Sequence, residues 1–429
     1  MKLLCTQLCA LVCSLLATAQ SDLPKDVLQL AQLKRVVKAR LAALPNYTCL
    51  ETIQRSQRRN AEQPFRLLDT VRVEVAVIND RELYSWPGAN AFEDQSIADM
   101  IGTGMSSSGS FKSEISNVLV NNISNITSHG YEDLRGRRAL RWDYGIPYNV
   151  SDWTLRIAGR RGKVSETGSF WADAETLELL RLENSAKDIP PDLPITAVND
   201  SLDYSLMRVG SRDLLLPQTA ESLITKWDGQ QSRNVIEFSH CREFAAEARL
   251  TTDDEPASLD KPAAPVAEVS IPAALQLSIR LANPVDSRVA KVGDPLTAEI
   301  LSPVEYKHKL IVPKGAILRG RIRQLERHSS PRAHCIVGLE FTDIEFPGHH
   351  ASFYGEMTGV APGAGVSLTL STAKAETRGI GMGGTLTTSR TETYVPVPIP
   401  GVSTFIMEGP SFLLPAGLLM DWRTVKLEK

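Results

Sequence analysis

Between residues 70 and 78 the chain places Val71, Val73, Val75 and Val77 at every second position, with Arg72, Glu74 and Ala76 between them. Successive side chains of a strand point to opposite faces, so the four valines share one face. A helix would scatter them around its circumference. The segment therefore lines a core or a cleft, and the rest of the chain must supply what covers it. Further strand signals fall at 47–55, 82–86, 139–144, 154–158, 163–171, 177–183, 202–209 and 234–244, with Leu214 to Pro217 between the last two. Two helical patterns interrupt this β series. In the first, Val27, Leu30, Leu33, Val37, Leu41 and Leu44 recur at intervals of three and four, which predicts an amphipathic helix ending before Pro45. The second is a short helix over 92–101, a Gly/Ser-rich loop over 102–110, and Phe111, Ile115, Leu119 and Ile126 at near-helical spacing.

The first nineteen residues read as a secretory signal: Lys2, an apolar run from Leu3 to Leu16, then Ala17-Thr18-Ala19. Cleavage is expected after Ala19, and the mature chain is expected to carry no transmembrane helix, since no later apolar run approaches the ~20 residues needed to span a bilayer. No small residue precedes Cys5, Cys9 or Cys13 in the manner of a lipid anchor. The remaining roughly 410 residues suit two or three domains. A composition shift over 253–270, with prolines at 256, 262 and 265, predicts an extended linker between a domain at 23–252 and a second at 271–429. Strand signals in the second fall at 275–281, 296–300, 309–312, 317–325, 336–346, 352–357, 391–407 and 412–427, with a Gly/Ser/Thr-rich loop at 359–390. The fold class is α+β, mainly antiparallel β: a half-barrel with covering helices, then a separate small β-barrel or sandwich. Within the second domain Pro313-Lys314-Gly315 and Pro415-Ala416-Gly417 each end one apolar run and begin another, which predicts a shared tight turn with glycine at positive φ.

Loss of the signal removes three of six cysteines and leaves Cys49, Cys241 and Cys335 in an oxidising compartment. Cys49 falls on the first strand and Cys241 on the last of the first domain, so a bridge between them would join its ends. Two free thiols, or a bridge using Cys335, are the alternatives.

The formal charge of −3 is spread without a concentrated basic face, so nucleic acid is not expected as a partner. No HExxH, CxxC or GxSxG pattern occurs, and Gly379 to Gly384 lacks the βαβ setting of a dinucleotide loop. No metal, cofactor or catalytic residue is expected, and no His, Ser or Cys is expected to meet a carboxylate in a cleft. What remains is apolar and aromatic. Val71, Val73, Val75, Val77, Trp86, Trp142, Tyr144 and Trp171 are the candidate ligand-lining residues, with core packing as the alternative for each.

A helix followed by antiparallel strands with an inserted helical segment resembles the LolA and RseB type of periplasmic half-barrel. The resemblance rests on residues 27–44, on 71–78, and on Phe170-Trp171-Ala172-Asp173-Ala174-Glu175-Thr176-Leu177, which is similar to that family's Trp-x-Asp-x-x-Thr hairpin. It implies a noncatalytic exported protein that holds a lipid or lipoprotein. In the second domain, residues 292–298 and 310–320 are similar to the β-barrel of TrbI-like conjugal-transfer proteins, which implies an envelope protein partner. The expectation is a periplasmic or outer-envelope protein that binds an apolar ligand or lipidated partner with its first domain and docks with its second. A purely structural protein without a ligand cavity is the alternative.

Overall fold

The computed structural model describes residues 23–244, 267–361 and 399–426, apart from 80, 90, 93–96, 102–110, 158–159 and 330–331, together with 366–367. The signal-like segment, residues 253–266 of the expected linker and most of the 359–390 loop lie outside the described residues.

Helix α1 (Lys25–Ala42) buries Leu33, Val37 and Leu41, while Val27 and Leu28 at its start stay exposed. Strands β1 (Tyr47–Arg58), β2 (Arg66–Ile78) and β3 (Arg81–Ser85) follow. Then come α2 (Ile97–Ile101) and α3 (Phe111–Ile115), which runs into a π-helical turn at Ser116–Val120. Helical spacing does not extend to Ile126 as the sequence implied. Asn122 adopts φ 55°, a left-handed conformation that ends a helix and that asparagine tolerates, and Ile126 lies on β4 (Asn125–Leu134). The rest of the first unit is β5 (Arg137–Ile146), the small hairpin β6 (Thr154–Ile157) and β7 (Arg160–Lys163), then β8 (Ser165–Asp173), β9 (Leu179–Lys187), β10 (Ile195–Val209), β11 (Arg212–Lys226) and β12 (Gln231–Glu243).

Ten of these strands form one curled antiparallel sheet in the order β3-β2-β1-β12-β11-β10-β9-β8-β5-β4. Most neighbours are joined by short connections; the pair β1 and β12 is the long-range one. Here Cys49 and Cys241 form a disulfide, 192 residues apart in sequence with Cα atoms at 4.1 Å, beside a bulge between Thr48 and Leu50. Cys335 is a buried free thiol. Leu214 to Pro217, which the sequence left between strands, lies inside β11. Pro217 sits opposite Tyr204 where the β10–β11 register slips, a position that tolerates a residue without an N–H. The Trp-x-Asp-x-x-Thr hairpin is a turn built by Asp173, whose Oδ1 accepts from the backbone N–H groups of Glu175 and Thr176 at 2.9 and 2.8 Å.

The second unit contains β13 (Ala267–Glu268), β14 (Gln276–Leu281), β15 (Val285–Asp286), β16 (Pro295–Ile300), β17 (Val304–Tyr306), β18 (Lys309–Val312), β19 (Ile317–His328), β20 (His334–Phe346), β21 (His349–Ser352), β22 (Gly355–Val360), β23 (Val366–Ser367), β24 (Ser403–Glu408), β25 (Leu413–Leu414) and β26 (Leu419–Thr424). Its main sheet runs β13-β21-β20-β19-β16-β14-β26-β22, with β24 also paired to β20 and β23 to β24. Trp422 fills its core, edge-on to Phe341 with ring centroids 5.1 Å apart. The two Pro-x-Gly segments take the same turn. Gly315 and Gly417 have φ 84° and 85°, and each N–H donates at 2.8 Å to the carbonyl closing a facing strand, Ile300 and Leu281.

The sheets meet along a seam. Arg72 N–H donates to the Val292 carbonyl at 2.8 Å and Val292 N–H to the Thr70 carbonyl at 2.9 Å, so β2 is bridged to the segment before β16. Gly293 fits here with φ 96°; a Cβ would lie 2.4 Å from the Arg72 carbonyl oxygen. Asp294 pairs with Arg72 at 3.3 Å. One continuous apolar cluster runs across both sheets.

Candidate functional site

The inward face of the first sheet follows from alternation and register. Val71, Val73, Val75 and Val77 on β2 face the same side as Ile53 on β1, Ile236 and Phe238 on β12, Leu202 on β10, Leu182 and Phe170 on β9 and β8, and Trp142 and Tyr144 on β5. The same cluster takes in Leu33, Val37 and Leu41 of α1, together with Ile97, Met100, Ile115 and Leu119. The helices therefore cover the inner wall, which a second sheet would do in a sandwich. Trp142 stacks on Phe170 at 5.3 Å.

Six of the eight candidate lining residues thus come together. Two do not. Trp171 points to the outer face: it pairs in register with Arg141, which lies 5.3 Å over its ring, and its Nε1 donates to Glu132 at 3.2 Å. Alternation puts it opposite Phe170, which is the inward aromatic of that pair. Trp86 sits at the seam beneath Arg323 of β19, 5.0 Å from the ring centroid, and Arg323 also donates to the Met100 carbonyl at 3.0 Å. The four valines and Trp142 are at most 7% exposed, so the wall is covered in this structure.

A second feature of the wall was not expected from sequence. Residues paired in direct register form a polar belt around the inward face: Asp69 on β2, Arg55 on β1, Asn234 on β12, Ser222 on β11, Asp200 on β10, Asn184 on β9, Gly168 on β8 and Tyr144 on β5. Apolar residues lie on both sides of it, the large cluster on one and a smaller one around Leu193, Val198 and Ile224 on the other. Gly168 makes room for Tyr144, whose ring and hydroxyl lie 2.8 Å from where a Cβ would be. That hydroxyl donates to Glu166 Oε1 at 2.8 Å. Arg55, the cation of the belt, is committed to Asp69 through an Nε–Oδ1 bond of 2.7 Å and a second ionic contact.

The other carboxyls of this face have no such partner. Glu114 reaches in from α3, and Glu51 lies on β1 two residues beyond Ile53. Burial pushes Glu51 and Glu114 well above the usual carboxylate range, helped by repulsion from Glu82 at Glu51 and chiefly from Asp200 at Glu114. Burial also raises Glu166, against the Tyr144 hydroxyl. Asp200 is pushed up to about 6 by burial, against the neighbouring Ser222 hydroxyl. Among the described residues, both Glu51 oxygens, Glu114 Oε2, Asn184 Oδ1, Asp200 Oδ1, Tyr204 Oη, Ser222 Oγ and Ser232 Oγ are buried without a hydrogen-bond partner. Each such atom costs roughly 1–3 kcal/mol of desolvation. Asn184 Oδ1 accepts only, whereas the three hydroxyls and the carboxyls that burial holds toward their neutral form can both donate and accept, so this face matches a polar group that exchanges hydrogen bonds in both directions. No cluster of three or more His, Cys, Asp or Glu with metal-ligand placement occurs among the described residues.

Outside this face, His328 lines a cleft at the seam, and its Nε2 lies 2.9 Å from Oε2 of Glu326, a buried carboxylate that does not itself line the cleft. The adjacent Ser329 Oγ accepts from Arg66 at 2.7 Å, an arrangement that does not activate a hydroxyl. Cys335 is buried, which pushes its thiol up, away from nucleophilic character.

No family model matches the chain, and no curated protein matches it. Similar solved structures include a DUF1329 family protein from Desulfovibrio piger, at 13% identity and TM-score 0.27, covering 51% of this chain and 92% of that one. An outer membrane lipoprotein-sorting protein domain from Vibrio parahaemolyticus is similar at 15% identity and TM-score 0.27, over 50% of this chain and 91% of that one. A LolA superfamily protein from Nitrosomonas europaea is similar at 8% identity and TM-score 0.26, over 50% and 94%. At these scores the likeness assigns no ligand, and the architecture stands on its own strand order: a ten-stranded antiparallel half-barrel with helices over its inward face.

Proposed function

We infer that this is an exported, noncatalytic cell-envelope protein in two domains, at 23–252 and 271–429. The first holds an amphipathic ligand or the lipidated end of a partner against its inward face. The apolar part of the ligand lies along Val71, Val73, Val75, Val77 and Trp142, where α2 and α3 now pack. Its polar end meets Glu114, Asn184, Asp200 and Tyr204. The observation that carries this reading is the belt. A wall meant only for packing would have no use for aligned polar groups whose buried atoms lack partners. The second domain docks to an envelope protein, and exposed Val289, Leu310, Leu413 and Leu419 are available to it.

The purely structural reading is favoured by one fact: the inner wall is already covered. Native mass spectrometry of the protein released from the envelope in mild detergent separates the two. A copurifying lipid or lipidated peptide, lost on Trp142→Asp substitution in a folded variant, is the expected result. A bare chain mass that stays bare after incubation with lipid would sink the ligand-binding reading.

A further inference from the structure

The seam holds a cleft of about 670 Å³, well outside the inward face of the first sheet. Its walls come from three places. The β1–β2 hairpin contributes Arg58, Arg59 and Arg66, the end of β19 contributes Arg327 and His328, and the β11–β12 turn contributes Gln230. Among the described residues no carboxylate lines it. We propose that this cleft binds a phosphate-bearing ligand with hydroxyl groups, such as a phosphorylated sugar or polyol headgroup.

The charge argument is local. Several arginines elsewhere in both sheets are in ion pairs, among them Arg72, Arg141, Arg181, Arg280 and Arg323. Arg58, Arg59, Arg66 and Arg327 form none with the described residues, although they gather around one opening in a chain of net charge −3. Nearby, Asp69 is paired with Arg55, Glu326 is hydrogen-bonded to Gln324 at 3.0 Å and lies 2.9 Å from His328, and Glu62 and Asp228 stand on the hairpin and turn beside the opening without lining it. Within the lining itself the four guanidinium groups meet no carboxylate among the described residues. Planar guanidinium forks suit the paired oxygens of phosphate.

Several of these side chains are held in place before any ligand arrives. Arg58 lies 4.2 Å over the Phe65 ring and donates to Gln231 Oε1 at 2.6 Å. Arg327 donates to the Ser287 carbonyl, and Arg66 to Ser329 across the seam. Fixing them in advance lowers the ordering cost of binding. The volume exceeds what a bare phosphate needs and falls in the range of small-molecule sites. Gln57, Gln63 and Gln230 supply amide groups suited to hydroxyls.

The test uses the full chain, with glucose 6-phosphate, glucose, and phosphatidylcholine vesicles with and without phosphatidylglycerol. Calorimetric titration is expected to show binding of glucose 6-phosphate that weakens with added salt, and none of glucose. Arg59 and Arg66 are exposed, so the R59Q/R66Q variant should keep its fold by circular dichroism while losing affinity about tenfold or more. R212Q, at the far end of β12 where Arg212 pairs with Glu243, should bind as the native chain. Co-sedimentation with phosphatidylglycerol vesicles alone would identify the phosphate source as a lipid headgroup, and glucose 6-phosphate binding alone would identify a soluble one. The proposal is overturned if neither probe binds, or if R59Q/R66Q binds like the native chain.

Discussion

The two sheets treat their buried carboxyls differently. In the second, the buried carboxylate Glu326 has both its amide and imidazole neighbours bonded to it, and the core around Trp422, Phe341 and Phe353 is aromatic and close-packed. In the first, Glu51, Glu114 and Asp200 face inward with unpartnered oxygens, and helices rather than strands cover them. Unpartnered atoms occur in the second too, at Trp422 Nε1, Gln324 Oε1 and Thr404 Oγ1, but among the described residues the unpartnered carboxyl oxygens are those of the first unit. Each such atom gives up stability on the order of 1–3 kcal/mol that packing alone does not return. The difference between the units is therefore one of kind: the second gives its buried Glu326 side-chain partners, whereas the first buries Glu51, Glu114 and Asp200 with oxygens left over.

The largest expected effect concerns the end-to-end clasp of the first sheet. By the chain-entropy relation, closing a 192-residue loop is worth about 5 kcal/mol. Cys49→Ser with Cys241→Ser should therefore lower the unfolding transition of the first sheet far more than that of the second. Calorimetry showing two transitions that fall together would break the view of two separately organised units. Next comes Trp422→Ala, expected to cost about 3–5 kcal/mol by cavity formation and to act on the second transition first.

The belt predicts an unusual pH dependence. Asp200 has its carboxyl raised from 3.8 to about 6 in the folded state, so the native chain binds a proton that the unfolded chain has released. First-sheet stability should fall as pH rises from about 4 to about 6, and Glu51, Glu114 and Glu166 act in the same direction. Asp200→Asn should flatten that limb and raise stability at pH 7 by on the order of 1–3 kcal/mol. A variant less stable than the native chain at pH 7 would show that the charged form is held by something the belt does not reveal. The second unit has the reverse case in Asp286, held at about 2 by Arg288, whose contribution is present above about 4 and fades toward 2. The smallest effect on capture is at Trp171→Phe, on the outer face. Losing part of a buried ring and the Nε1–Glu132 hydrogen bond should cost on the order of 1–3 kcal/mol and leave ligand capture untouched, whereas Trp142→Phe should alter capture.

Much of this was legible in the sequence because the signals were local. The valine alternation at 71–77, the stripe Leu33-Val37-Leu41, the Asp173 turn and the paired glycines at 315 and 417 each depend on a few neighbouring residues. The cysteine pairing was legible because it followed from strand order. The belt was not. Of Asn184, Asp200, Ser222 and Asn234, only Asn234 falls within a strand expected from the sequence; the other three lie where strands run longer than their apolar alternation, and only the long-range register puts the four in one row. Trp171 misled for a related reason: two adjacent aromatics cannot face the same side, and sequence alone does not say which faces inward. The cleft at the seam was hidden further still, since its arginines come from segments more than 250 residues apart and contribute to an overall charge near zero.

Beside the side-chain contacts of the seam, main-chain atoms of residues 70, 72 and 292 bridge the two sheets directly. Backbone bonds do not depend on which side chains the bridged residues carry, so the facing surfaces can drift in sequence while the two halves keep their alignment. The exception is Gly293, where any side chain would collide with the Arg72 carbonyl and Trp86. At this bridge Gly293 is the position most sensitive to substitution, and an alanine there would act as a wedge whose effect is read as a change in angle between the halves.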